Sequence, residues 1–301
     1  MWPLKVILFF INILESPLSF SLNSCIVLIH VKNLSHGVKV TPSDLIQLVM
    51  GATNLTMRGL MLVNGAGFWL PMYYEAKVMH TTVILVPFHL YFNYWLIAWL
   101  STLYWTSITN LKHQICVWIK RGLSSFTPHL LLLSALVSLA IALPPIWGLH
   151  FGVPGQNSTL LEISLTGFNF IPLACASICL SLSIILVSLT LTMFSLLTHV
   201  RSMKTNSSGL RCPSVQAHVS AVRTMALLLL LSVIISTADL IIFQPPPGFR
   251  GSAVSVAWLI LGFFPTLEAS IIIQSSPKLR KVFLQTSCAG KSGGGQYLGS
   301  Q

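Results

Sequence analysis

Few side chains in this 301-residue chain could do chemistry, and they lie far apart. Glu15 and Arg58 each stand inside a long apolar run. A charged, unpaired side chain in lipid costs several kcal/mol, so each needs a partner or a wet cavity. At ~1.5 Å of rise per residue, Glu15 lies about 24 Å outward from Val31 and Arg58 about 21 Å outward from Asp44. Antiparallel neighbouring helices could therefore bring the two together, as a polar lock that moves or as a static pair that fixes packing. Asp239 lies near the outer end of another apolar run, ahead of Pro245-Pro246-Pro247. There it either anchors a cationic group or rests at the water level. The nine histidines and the cysteines at 25, 116, 175, 179, 212 and 288 show no ligand spacing. Only His30 and His36 are close at helical spacing, and no Cys or carboxylate completes a set, so neither a metal nor a cofactor is expected. No Ser-His-Asp arrangement has an organising elbow. No enzyme is indicated.

The elements that position these residues follow from composition. Apolar residues make up 54% and charged residues 8%, against roughly 25% charged in a soluble domain. The formal charge is +11, but the basic residues sit in short clusters between apolar runs and form no continuous face for nucleic acid. Seven segments have the ~20 apolar residues that a bilayer crossing needs: about 6–31, 45–70, 84–111, 128–149, 168–197, 223–244 and 253–274. The first is too long for a signal peptide and lacks a small-residue cleavage site, so it reads as a membrane helix. Residues 1–276 form the membrane domain of this reading, and 277–301 a cytoplasmic tail ending in a Gly/Ser-rich stretch.

Orientation comes from Lys and Arg in the connections. One set holds Lys32, Lys39, Lys112, Lys120, Arg121, Arg201, Lys204, Arg211, Arg223, Lys278, Arg280, Lys281 and Lys291; the other holds Lys5, Lys77 and Arg250. The expected fold is an all-α bundle of seven transmembrane helices, N-terminus extracellular and C-terminus cytoplasmic. Of the sequons, Asn33-Leu-Ser and Asn206-Ser-Ser fall on the inner side and Asn54-Leu-Thr within a span. Asn157-Ser-Thr, in the outer loop after the fourth span, is the expected glycosylation site.

Several motifs carry a resemblance. The run Trp95-Leu96-Ile97-Ala98-Trp99-Leu100-Ser101-Thr102-Leu103-Tyr104, then Ile108, Asn110, His113 and Trp118-Ile119-Lys120, resembles the inner third helix and second inner loop of the type 2 (bitter) taste receptors. Phe194-Ser195-Leu196, His199, Arg201, Met203, Gly209, Pro213-Ser214, Ala217-His218-Val219 and Arg223-Thr224-Met225 are similar to that family's third inner loop and sixth-helix entry. Pro277-Lys278-Leu279 matches the end of its seventh span, Glu15 and Asn23 its first helix, and Ser43-Asp44 with Ile46 the start of its second. Rhodopsin-like signatures are missing: Thr109-Asn110-Leu111 stands where Asp-Arg-Tyr would, and no Asn-Pro-x-x-Tyr closes span seven. The chain also departs from the taste-receptor pattern. Asn54 stands where the family usually has an Arg, with Arg58 one turn farther out. Glu268-Ala269 replaces a His-Ser pair, and Val86 and Leu90 occupy positions often held by Trp and Asn.

The resemblance implies a G-protein-coupled chemosensory receptor. Val86, Leu90, Asn93, Ile235, Asp239 and Trp258 would border a cavity open to the outside, with apolar and aromatic walls and polar anchors suited to a small organic ligand. Trp258 also sits where interfacial tryptophans are ordinary. His113, Lys120, His199, Met203, Lys204, His218 and Arg223 would contact a heterotrimeric, gustducin-like G protein, or their basic members would bind anionic lipid. Apolar and aromatic side chains interleaved with charge favour a protein interface. The alternatives are a vomeronasal type 1-like pheromone receptor and, in another class, a small transporter or channel. The second is opposed by the lack of an internal repeat.

Overall fold

The computed structural model describes residues 2–67, 76–108, 114–144, 149–150, 164–165, 171–205, 213–244 and 250–292. Its helices are α1 (Trp2–Ser35), α2 (Pro42–Gly67), α3 (Ala76–Ile108), α4 (Gln114–Ala142), α5 (Ile171–Thr205), α6 (Pro213–Phe243), α7 (Arg250–Ser275) and α8 (Pro277–Ser292). The first seven are each long and apolar enough to cross a membrane. Leu149–His150 (β1) and Ser164–Leu165 (β2) pair antiparallel in the connection between α4 and α5.

Local chemistry sets the helix ends. Gly37 takes φ 68° just after α1, its N–H bonding Leu34 O while that of Val38 bonds Asn33 O. This is the paired closure in which glycine bears the left-handed residue without a Cβ penalty. Thr41 then caps α2: Asp44 N–H donates to Thr41 Oγ1, and Thr41 N–H donates to Asp44 Oδ2. This reciprocal box satisfies two donors left open by the first turn. Pro42, Pro213 and Pro277 open α2, α6 and α8, at the position where a missing N–H costs nothing. α4 already begins at Gln114, so Lys120 and Arg121 lie on a helix and not in a loop. It ends at Ala142 instead of 149, before Pro144 and Pro145, which cannot continue the ladder. Residues 277–292, expected only as tail, form α8, which lays Leu279, Val282 and Phe283 against the bundle and leaves Arg280 and Lys281 exposed.

α3 is the central helix. It packs against α2, α4, α5 and α6, while α7 closes the ring between α6 and α1. Large apolar side chains such as Leu14, Leu28, Leu132, Phe194 and Leu230 point outward, and asparagine, serine, arginine and glutamate lie inside. A bilayer solvates the apolar exterior, so polar groups are placed where only other helices can satisfy them.

Candidate functional site

Two polar layers join α1, α2, α3 and α7 through the buried core. The outer layer is built on Arg58, whose side chain is fully buried. Its Nη2 lies 2.6 Å from Glu15 Oε2, so the structure brings the two intramembrane charges together. The guanidinium does more than neutralise a carboxylate. Nη1 donates to Gly262 O at 2.9 Å, and Nη2 donates to Ser16 Oγ at 2.6 Å and to Asn12 O. Thr266 Oγ1 donates to the other Glu15 oxygen. One α2 side chain is thus fastened to both α1 and α7. Two local features permit the approach. Gly262 has no Cβ; one built there would sit 2.7 Å from Asn12 Nδ2 and 3.3 Å from Arg58 Nη1. Pro265 lacks the N–H that would bond Leu261 O, which loosens α7 at this level.

The inner layer lies one turn away along α2. Asn54 Nδ2 donates to Asn23 Oδ1 at 3.1 Å and to Glu268 Oε2 at 2.7 Å, while Asn54 Oδ1 accepts from Asn93 Nδ2 at 3.0 Å. Asn23 Nδ2 in turn donates to Ser19 O and Pro265 O. Asn23, Asn54, Asn93 and Glu268 are all fully buried. The sequence names each of these residues, but no spacing groups them. They come from four helices, and only packing aligns their depths. Asn12, Ser16, Gly262 and Thr266 gave no sequence signal at all, because a main-chain acceptor or a lone hydroxyl is unremarkable until an arginine reaches it.

Toward the end of the bundle where α4 stops and α5 begins, Val86, Leu90, Ile235 and Asp239 are buried and Trp258 is half-buried, and all but Asp239 belong to or pack on the same core cluster. Tyr91 OH lies 3.4 Å from Asp239 Oδ2, and Ser236 Oγ donates to Tyr94 OH at 3.2 Å. Asp239 is 4% exposed, buried among the helices one turn from the end of α6 at Phe243. Asn93 turns its amide to Asn54 and so joins the inner polar layer, not Asp239.

The aromatic run of α3 fastens that helix on several sides. Trp95 Nε1 donates to Ser177 Oγ on α5 at 3.2 Å, and Trp99 Nε1 donates to Ser134 Oγ on α4 at 2.9 Å. Tyr104 OH lies 3.4 Å from both Ser275 Oγ on α7 and Gln47 Nε2 on α2. At the same end His30 Nδ1 is 3.6 Å and Lys278 Nζ 3.9 Å from Asp44 Oδ1, which ties α1, α2 and α8. Arg223 is exposed on α6. Lys120 lies on α4, His199, Met203 and Lys204 on α5, and His218 on α6, by backbone alone. His113 and Asn157 lie outside the described residues. Among the described residues no group of three or more His, Cys, Asp or Glu side chains could hold a metal ion.

The chain superposes on the crystal structure of squid rhodopsin with a TM-score of 0.60 over 94% of this chain and 85% of that one, at 15% identity, a likeness of fold alone. It is 28% identical over 297 residues to taste receptor type 2 member 4 of Gorilla gorilla gorilla, covering 94% of this chain and 95% of that protein. The human protein of that name is 27% identical over the same shares. Taste receptor type 2 member 40 of Gallus gallus is 24% identical over 283 residues, covering 90% and 91%. The model of the family described as taste receptor protein (TAS2R) matches residues 1–291, which takes in both polar layers, the aromatic run of α3 and most of α8. This seven-helix, multi-pass membrane chain therefore belongs to the taste receptor protein (TAS2R) family.

Proposed function

We propose that this chain is a G-protein-coupled chemosensory receptor for bitter small molecules, set in the plasma membrane with its N-terminus outside. The family match along residues 1–291 carries the reading, because it spans the inner helix ends as well as the core. A ligand enters among α3, α5, α6 and α7, where Val86, Leu90, Ile235 and Trp258 supply apolar and aromatic walls. Asp239, buried and held by Tyr91, is the anchor for a cationic group on the ligand. Binding shifts the bundle only as far as the ligand prefers the signalling arrangement over the resting one. Roughly 1.4 kcal/mol of that preference changes the population ratio tenfold. A heterotrimeric, gustducin-like G protein then meets His113, Lys120, His199, Met203, Lys204, His218 and Arg223.

The test is calcium release in cells that express the chain with a promiscuous G protein, challenged with a panel of bitter compounds. A concentration-dependent response to at least one compound is expected, lost when the G protein is removed. For cationic agonists, Asp239→Asn should move the dose–response midpoint upward by about tenfold or more, while neutral agonists are less affected. Silence toward the whole panel at verified surface expression, or flux that persists without the G protein, defeats the proposal.

A further inference from the structure

The charges in the core do not balance. Two buried carboxylates, Glu15 and Glu268, lie in the joined layers of α1, α2, α3 and α7, and among the described residues Arg58 is the one guanidinium buried with them. Arg58 is committed to Glu15, at 2.6 Å, and its Nη atoms are held by α1 and α7. Glu268 is fully buried, makes no ion pair among the described residues, and receives one hydrogen bond, from Asn54 to Oε2. Its Oε1 has no donor, and neither does Asn93 Oδ1, the free end of the amide that bonds Asn54 from the other side. Two acceptor oxygens, each on a fully buried side chain, thus flank a single asparagine. What they lack is positive charge in a small volume. With both carboxyls ionised the surplus is one negative charge, which a monovalent species cancels and a divalent one would reverse. Carboxylate and amide oxygens are hard donors, suited to a hard ion.

We propose that Glu268 and Asn93, joined through Asn54, form a buried binding site for one small monovalent cation, a sodium ion or a proton. Its two sources make different bonds. Sodium is shared by Glu268 Oε1 and Asn93 Oδ1. A proton turns Glu268 Oε1 into a donor for a neighbouring acceptor and removes the charge. Either occupant ties α7 to α2 and α3, so its occupancy is coupled to any rearrangement of those helices.

The full-length receptor, purified in nanodiscs, tests this without any agonist. Its thermal unfolding midpoint is measured with sodium replaced by choline at constant ionic strength and pH, and then across pH in choline alone. A bound species stabilises in proportion to RT ln(1 + [L]/Kd). The sodium source therefore predicts a midpoint that rises with sodium at fixed pH; the proton source predicts a midpoint that rises as pH falls and ignores sodium. In either case Glu268→Gln should lose the dependence and Asn93→Leu should weaken it. Other titratable or charged groups on these helices and their neighbours include Glu15 with Arg58, His30 with Asp44 and Lys278, His89, Tyr94, Tyr104, and Asp239 with Tyr91, beside Lys5, Cys25, Lys32, Lys77, His80 and Arg250. All of them remain in Glu268→Gln, so its pH profile subtracts their contribution. A wild-type midpoint flat in both series overturns the site, even if Glu268→Gln fails to fold. So does a dependence that Glu268→Gln retains in full.

Discussion

Arg58 shows why a buried ion pair has to be judged by everything its members touch. Removing one partner of such a pair leaves an uncompensated charge and costs about 3–5 kcal/mol, although the intact pair adds little beyond an apolar equivalent. Glu15→Gln and Arg58→Gln should each lower surface expression and the thermal midpoint, and the double variant should recover part of the loss. Arg58→Gln should be the worse single change, since it also removes the ties from α2 to Gly262 O on α7 and Asn12 O on α1. Strictly additive defects would show that the two do not interact. Glycines separate just as sharply. Gly262→Ala forces the Asn12 amide and the guanidinium to give way, an overpacking cost of roughly 1–3 kcal/mol. Gly59→Ala meets nothing within 4 Å and replaces a poor helix former. Its midpoint should hold or rise while that of Gly262→Ala falls, and the opposite order would refute the packing described for Arg58.

At the level of elements, α3 is held on several sides by its own aromatic run, and α7 is loosened at Pro265 where both polar layers meet it. His199, Met203, Lys204, His218 and Arg223, proposed for coupling, lie on the ends of α5 and α6 that the 206–212 connection joins. If those ends contact the G protein, Met203→Ala and His218→Ala should lower the maximal calcium response several-fold at equal surface expression, with ligand affinity nearly unchanged. Lys204→Arg and Arg223→Lys, which keep the charge, should matter less. A lipid anchor predicts a different pattern, in which only charge counts. Silent Met203→Ala and His218→Ala beside strongly impaired Lys204→Gln and Arg223→Gln would assign the cluster to the membrane surface.

For the molecule as a whole, the end of α1, the start of α2 and α8 gather at one end through His30, Asp44 and Lys278, near Lys32, Lys39, Arg280 and Lys281. Basic residues concentrate on the cytoplasmic side of membrane proteins, and on the proposed orientation this end faces the cytoplasm and the α4–α5 connection faces outward. Asn157 should then be the glycosylated sequon. Asn157→Gln should abolish the endoglycosidase-sensitive mobility shift, whereas a shift that persists there and vanishes in Asn206→Gln would invert the topology.

That seven helices are long and apolar enough to cross a membrane was legible in the sequence, though their ends were not, because a bilayer permits few ways of satisfying a backbone and demands long apolar runs for this one. That Glu15 and Arg58 need partners was equally legible, since the cost of an isolated charge in lipid depends on burial alone. Their depths, counted at a fixed rise per residue, already agreed. α8 escaped notice because its short amphipathic pattern, with Leu279, Val282 and Phe283 on one side, looks like an ordinary basic tail until the bundle offers a surface. The inner polar layer was decided only by tertiary structure. Asn23, Asn54, Asn93 and Glu268 meet through helix rotation and register, which depend on the packing of all seven helices and leave no periodic trace within any one. For the same reason only the folded bundle shows that Asn93, which the family resemblance set among the residues bordering a ligand cavity, bonds Asn54 on α2: depth is a property of the sequence, and azimuth a property of the fold.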